Sequence, residues 1–437
     1  RRIYRTNEAS GIDDLSRQYI IYNPSTDRLE EASCTVINNG TRIDVPEYHT
    51  QSLSDPESRL YYDLKARIYT LPSLRRGSIV DFRFRLKSAE GDINRGYFGE
   101  RVLLGGGRRI LVSNVLVSFP DDKEIYCHVR RLARSALRLL QKGRMRVYRI
   151  TLNDIPPYRK ERYMPSLPEV APFVVFTSMR DWDSLYRWYA ALVRDRMRSS
   201  GEMKSKVREL VREGDDERAV IKKIFDHVSG AVRYVGFEFG IGGVQPRPAD
   251  LTYRTGMGDC KDMSLVLAAM LREAGLDARI ALVRTRSNGI LDRSIPFLGQ
   301  FNHALCFSGG KSRIFLDATV KMSGHDELPS EVRDIEVFLL DETGFNFVNT
   351  GGSSYSRNID SAVTSVSVRD DGSAVLARTI TKGGDFAPRA RFYLLNAESK
   401  LRSIAEYWST SHPGSRVHNL RVQNAGTNFP VRYSYEL

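Results

Sequence analysis

A cysteine stands one step before the most apolar helical run in the chain. In "GDCKDMSLVLAAMLREAGL", residues 258–276, Cys260 follows Gly258-Asp259 and precedes the charged pair Lys261-Asp262. Asp259 fits an N-cap, Asp262 three residues on fits a capping box, and Gly275 fits the position just past the helix end. Cys260 then falls in the first turn, where free backbone N–H groups and the positive dipole end stabilise a thiolate. The same N–H groups can later hold a developing oxyanion. An inert buried cysteine is the commoner fate of the residue. Position alone leaves the two readings level.

A thiolate nucleophile needs a base and a group to orient that base. Of seven histidines, His303 lies in "QFNHALCFSG", where His303, Leu305 and Phe307 share one strand face and Asn302, Ala304 and Cys306 the other. Asp317 lies in "RIFLDATV", and the turn Gly309-Gly310-Lys311-Ser312 makes the two strands a natural hairpin. An antiparallel pairing can bring His303 beside Asp317, and a helix packed on that sheet can deliver Cys260 to the imidazole. A single histidine is usually structural, and an aspartate at a strand end is usually a turn former. The ordered set of cysteine helix, histidine strand and aspartate strand is much rarer by chance.

Competing motifs are weak. "SGGKS" mimics the end of a phosphate-binding loop, but Leu305 stands where the upstream glycine is required, so the stretch reads as a hairpin turn. "GIGG" at 240–243 lacks both the third glycine and the following helix. His227 suits the last turn of a helix as a structural group. His325-Asp326-Glu327 could hold a cation but reads better as a solvated loop. Trp182 and Trp188 read as core, with an aromatic cleft wall as the alternative.

The elements that must position these residues follow from pattern. Residues 1–165 alternate or are rich in β-branched and aromatic residues, broken by turns at Asn39-Gly40, Pro72-Ser73 and Gly105-Gly106-Gly107. They predict a β-sandwich or open barrel. After the proline-rich connector "YMPSLPEVAPFVVFTS", helices are predicted over 181–197, 203–213 and 215–230. Next come the strand "VRYVGFEFG", a Gly/Pro loop over 240–250, the cysteine helix, and strands "ARIALVRT", "FNHALCFSG", "SRIFLDATV" and "EVFLLDE". From 346 the chain is β again, with a hairpin at Asp371-Gly372 and one helix over 389–408.

Composition limits the function classes. At 437 residues two or three domains are expected, and 41% hydrophobic with 27% charged residues suits a globular fold. Net charge is +13, but the basic residues are scattered and accompany no nucleic-acid module, so no nucleic-acid partner is expected. No apolar stretch approaches the ~20 residues of a membrane span. The chain opens "RRIYRTNEASG" without Met and ends "VRYSYEL", and both ends read as cuts in a longer protein. Cys34, Cys127, Cys260 and Cys306 form no Cys-x-x-Cys pair, which leaves zinc and dithiol redox readings unsupported. A Cys34–Cys127 bridge stays open.

The stretch "YVGFEFGIGGVQPRPADLTYRTGMGDCKDMSLVLAAMLREAGLDARIALV" resembles the transglutaminase-like superfamily of papain-type thiol enzymes. It is most similar to the bacterial group with Gly-Asp-Cys-Lys-Asp before the nucleophile helix. "FNHALCF" resembles the histidine strand of that group and "FLDATVKMSGHDELP" its aspartate strand. The flanks resemble the β-rich domain of unknown function that precedes such cores and the β-domain that follows them. The resemblance implies an α+β multidomain chain: an N-terminal β-sandwich over 1–165, a papain/transglutaminase-like core over 166–345, and a C-terminal β-rich domain over 346–437, there truncated. It implies Cys260 as nucleophile, His303 as base and acid, and Asp317 as orienter. The Cys260 N–H would be one oxyanion donor and Tyr234 or Gln245 the other. Gly256-Met257 departs from the bulky or basic residues usual there, which would loosen the loop.

The activity so implied is acyl transfer or hydrolysis at amide bonds through a thioester, on a protein or peptide substrate, with water or an amine as acceptor. No cofactor and no metal are implied, and the compartment suggested is periplasmic or cell-surface. The rival is a catalytically silent relative that acts as a protein- or glycan-binding surface module.

Overall fold

The computed structural model describes all residues except 54–59, 63, 89–95, 239, 353–354, 395–396 and 424–429. By packing, the chain divides into two units, Arg1–Gly96 with Tyr234–Pro246, and Tyr97–Arg233 with Arg247–Leu437.

The first unit is two antiparallel sheets facing one core. One sheet orders Arg2–Arg5, Ile79–Ser88, Asp27–Asn38 and Thr41–Asp44; the other orders Arg17–Tyr22, Lys65–Thr70 and His49–Ser52. Alternation explains the layering: in Arg17–Tyr22, Gln18 and Ile20 point inward and their neighbours outward. Ile20 and Tyr69 of one sheet meet Cys34, Val36, Val80 and Phe82 of the other. Segment Gly236–Glu238 adds a parallel pairing to Leu60–Tyr62. The short helix Ala9–Leu15 lies in a stretch where no helix was expected, because Gly11 and three polar residues leave it no apolar stripe.

The second unit opens with another pair of sheets. Ile110–Pro120, Met145–Ile155 and Leu137–Lys142 form one; Tyr126–Arg130, Phe173–Thr177 and Gly99–Leu103 form the other. Phe173–Thr177 is buried along its whole length. Val174 and Phe176 pack between these sheets with Leu104 and Ile150, whereas Phe173 and Val175 pack on Ile295 and Phe297. A continuous apolar run is what a strand covered on both faces requires.

The core follows. Helices Trp182–Val193, Gly201–Leu210 and Glu217–Ala231 start on Asp181, Ser200 and Asp216, each accepting a backbone N–H within the first turn. A five-stranded sheet orders Ile314–Leu316, His303–Ser308, Ala278–Val283, Glu336–Leu340 and Phe345–Asn349. Its core includes Ala281, Val283, Leu305, Phe307, Val337 and Leu339. Trp182 sits in an aromatic cluster with Phe338 and Phe347, and Trp188 packs on Tyr97 with the rings tilted by 35° and 4.8 Å between their centres. Both serve packing.

The C-terminal sheet orders Asp360–Val368, Ala374–Lys382, Val431–Glu436 and His418–Gln423, with Gly372 at φ +80° in the first hairpin. The single helix expected over 389–408 is two, Ala387–Leu394 and Ala397–Ser411. Leu394, Ile404 and Trp408 cover Ile380, Val431, Tyr433 and Tyr435. All four cysteines are free thiols, so Cys34 and Cys127 are not bridged. Among the described residues no helix is long and apolar enough to cross a membrane, and no group of three or more His, Cys, Asp or Glu could hold a metal ion.

Candidate active site

Cys260 opens the helix Cys260–Glu273, as its sequence punctuation predicts. Asp259 caps it by accepting the Asp262 N–H at 3.3 Å, and the Asp262 carboxylate accepts the Asp259 N–H in return at 3.3 Å. At the other end Leu276 N–H bonds Leu271 O at 3.0 Å and Gly275 N–H bonds Arg272 O at 2.9 Å, with Gly275 at φ +81°. This is the left-handed stop that only glycine enters without strain. Between the ends, Leu265 through Leu271 are at most 2% exposed. Burial of each large apolar side chain contributes about 1.5–3 kcal/mol, which makes this helix a rigid base for its first residue.

The turn before Cys260 is fixed rather than loosened. Gly256 ends the helix Ala249–Thr255 in the left-handed region, φ +62°, and its carbonyl accepts the Arg233 N–H at 2.8 Å. Gly258 is hemmed in: a Cβ there would lie 2.7 Å from Thr252 Cγ2 and 2.8 Å from Asp262 Cβ. Arg247 donates its backbone N–H to Asp262 Oδ1 at 2.8 Å and its Nη1 to Met257 O at 3.1 Å. Lys261 is buried against Asp259 and ion-paired to it. Burial pushes the Asp262 carboxyl up to about 6, with the Asp259 charge adding, while Lys261 and two backbone N–H groups oppose the rise.

The histidine strand is bolted to this helix, since Ser264 Oγ donates to Ala304 O at 3.1 Å. His303 Nε2–H donates to Asp317 Oδ2 at 2.9 Å. Burial opposes a charge on His303, but the Asp317 charge and hydrogen bond, and then Cys260 by hydrogen bond and charge, raise it well above its ordinary value. Asp317 is buried too, and that pushes its carboxyl up; the His303 charge and hydrogen bond and the Thr319 hydrogen bonds overcome the effect and leave it low. With Nε2 committed to Asp317, the half-buried Cys260 is the other group that acts on the His303 ring.

The structure thus brings together Cys260, His303 and Asp317. Tyr234 ends the short strand Arg233–Tyr234 and is partly buried; Gln245 is 7% exposed and donates its backbone N–H to Ile241 O at 2.7 Å. Both belong to the segment that packs with the first unit. Thr319 is a site neighbour that the sequence reading passed over: its N–H and Oγ donate to Asp317 Oδ1 at 3.0 and 2.6 Å. The signal was present as Asp-x-Thr, the spacing of an Asx-type turn. Tyr189 is another: burial first, and then the charges of Cys260, Asp259 and Asp262, push its phenol up. The phosphate-loop mimic is closed off, because Lys311 and Ser312 give their N–H groups to the Glu217 carboxylate at 2.9 and 2.8 Å. An acid occupies the place of an anion. His227 bonds Tyr253 Oη at 2.9 Å, and Asp326 and Glu327 pair with arginines 357 and 391.

Residues 1–159 match the DUF3857 domain of unknown function, and residues 204–310, which hold Cys260 and His303, match the transglutaminase-like superfamily. None of the curated proteins compared matches the chain. Among solved structures, one described as a "putative protease" from Parabacteroides distasonis ATCC 8503 aligns with a TM-score of 0.64 at 15% identity, over 99% of this chain and 87% of that one. The two share a fold. Another, described as a "putative cysteine protease" from Cytophaga hutchinsonii, aligns with a TM-score of 0.24 at 10% identity, over 69% of this chain and 79% of that one. The chain thus joins a DUF3857 match to a segment that matches the transglutaminase-like superfamily, and a β-rich stretch follows.

Proposed function

We propose that this protein performs thiol-dependent acyl transfer or hydrolysis at amide bonds of a protein or peptide substrate. One observation carries the reading: a half-buried His303 bonded to Asp317, with Cys260, at a helix start, also raising its charge. The Cys260 sulfur attacks the amide carbon, and the oxyanion that forms is held by the Cys260 backbone N–H. His303 gives its proton to the leaving amine as the C–N bond breaks, leaving a thioester. The neutral imidazole then takes a proton from water or an incoming amine, which attacks the thioester and frees the thiol. Asp317 keeps the ring oriented and supports its charge.

For the second oxyanion donor the family resemblance offers Tyr234 and Gln245. Tyr234→Phe and Gln245→Ala test each, and loss of a true donor lowers kcat by roughly 10²–10³. The same resemblance supports a functional division at residues 165 and 345. The test of the whole reading is mass spectrometry of candidate proteins incubated with wild type and with Cys260→Ala. New termini mean a protease, amide-to-acid conversion a deamidase, and amine adducts a transglutaminase. Identical spectra with both proteins sink the reading and favour a silent binding module.

A further inference from the structure

Arg391, on the helix Ala387–Leu394 of the C-terminal part, is wholly buried at 0% exposure. Its Nη1 donates to Glu327 Oε2 at 2.7 Å and to Met322 O at 2.8 Å, and its Nη2 donates to Glu327 Oε1 at 3.0 Å. Two-point pairing of this kind fixes direction as well as distance. Both partners lie in the loop that leaves Asp317. Glu327 also accepts the Gly324 N–H at 2.8 Å, and its own carbonyl accepts Ser323 Oγ at 2.8 Å. Met322, whose carbonyl Arg391 holds, has φ +64°, a left-handed backbone that a methionine adopts only where its surroundings impose it.

A second arginine closes the far end of the same loop. Arg333 donates to Leu328 O and pairs with Asp385, which sits in the turn Gly384–Phe386 just before the Arg391 helix. Asn358 Nδ2 donates to Asp385 Oδ2 at 3.0 Å and holds it in place. A cavity of about 480 Å³ flanks the loop here, lined in part by Val320, Ser323, Leu328, Ile359 and Pro388. Charged clamps therefore hold the loop beside this cavity, while Leu328 packs on the sheet core.

We propose that Arg391 is a positioning residue for Asp317: the C-terminal helix, through Glu327 and Met322, sets the loop that keeps Asp317 on His303. The path is short. Arg391 holds Met322 O and Glu327, Ser323 N–H bonds Val320 O at 3.3 Å beside the turn at Thr319, Thr319 donates to Asp317 Oδ1, and Asp317 Oδ2 takes the imidazole. Asp317 and Cys260 are the titratable groups whose charges act on His303. A loop that relaxes moves the first of them away. The inference rests on the proposed triad.

The test is an NMR titration of His303 in the full, histidine-labelled chain, with the pH profile of Cys260 alkylation by iodoacetamide, in wild type, Arg391→Met and Glu327→Gln. Both variants, checked as folded by circular dichroism, are expected to titrate His303 at lower pH than wild type and to shift the alkylation profile the same way. A variant that melts earlier but titrates His303 where wild type does would show a merely structural clamp and overturn the proposal. Should Arg391→Met not fold, Glu327→Gln keeps an acceptor for Gly324 while removing the charge, and an unmoved His303 in it overturns the proposal alone. Failure of the acyl-transfer reading is seen separately, as turnover unaffected by Cys260→Ala, and leaves the His303 titration as a valid readout of positioning.

Discussion

His303 Nε2 lies 2.9 Å from Asp317 Oδ2 although the two residues are not paired across the hairpin. The ladder between their strands closes at Cys306 opposite Leu316, and His303 itself pairs with Val283 on the other side. Asp317 is thus the first residue past the ladder, and it reaches back along the strand to the ring. A residue in that place can be oriented by its own turn, here through Thr319, without breaking the sheet.

The first prediction follows from that bond. In wild type His303 stays charged above the ordinary imidazole range, because Asp317 and Cys260 outweigh burial. Asp317→Ala should titrate His303 at lower pH, leave Cys260 open to alkylation, and lower kcat by roughly 10²–10⁴. NMR titration and single-turnover kinetics read the two effects separately. An unmoved His303 would deny Asp317 its role.

Stability should carry the same signature. The raised His303 contributes stability that is whole below about pH 6.5 and is lost as pH climbs through its folded value; the lowered Asp317 contributes above about pH 4 and is lost as pH falls through its own. The pair is complete between those limits. Urea unfolding of wild type and Asp317→Asn should differ most between about pH 4 and 6.5 and converge on either side. Asp262, with its carboxyl pushed up to about 6, titrates in both proteins and cancels in the difference. A difference independent of pH would mean that Asp317 stabilises through packing alone.

Much of this site is legible in the sequence because its determinants are local. Asp259, Asp262 and Gly275 mark the cysteine helix within a few residues of its ends, and Gly309-Gly310 marks the hairpin that carries His303 and Asp317. The strand ending at Asp317 is only Ile314–Leu316, since Arg313 at φ +38° belongs to the turn. What sequence could not reveal is held by partners far apart in the chain. Arg391 and Glu327 are separated by 64 positions, and nothing in "APRARFYL" distinguishes the wholly buried Arg391 from the exposed Arg389 two residues before it. The pairing of Phe173–Thr177 with strands from two flanking segments is equally non-local.

Cysteine reactivity gives a third test. Burial pushes the Cys34 thiol up to about 11 and the Cys127 thiol up to about 12, and it raises the wholly buried Cys306 as well. Cys306 lies on the strand face away from Leu305 and Phe307, as alternation requires. Brief iodoacetamide treatment of the native protein, followed by peptide mapping, should find Cys260 modified and the other three intact. Comparable labelling of Cys306 would place the strand in a different register.

The last prediction concerns the buried charges beside the nucleophile. Lys261 and Asp259 are 7% and 2% exposed and form an ion pair, and Asp259 at the same time caps the helix that begins with Cys260. Asp259→Ala removes a cap worth about 1 kcal/mol and strands an ammonium whose pair is worth about 3–5 kcal/mol when one partner is lost. The single variant should therefore lose several kcal/mol, while Asp259→Ala with Lys261→Met should recover most of that and retain only the loss of the cap. Cys260 alkylation should slow in both, because the frayed first turn no longer fixes the sulfur. Equal losses in the single and double variants would mean that Lys261 finds another counter-charge, for which Asp262 is the candidate, since its charge already acts on the ammonium. Asp262→Asn in the single-variant background would then bring the further loss that Asp259→Ala alone failed to show.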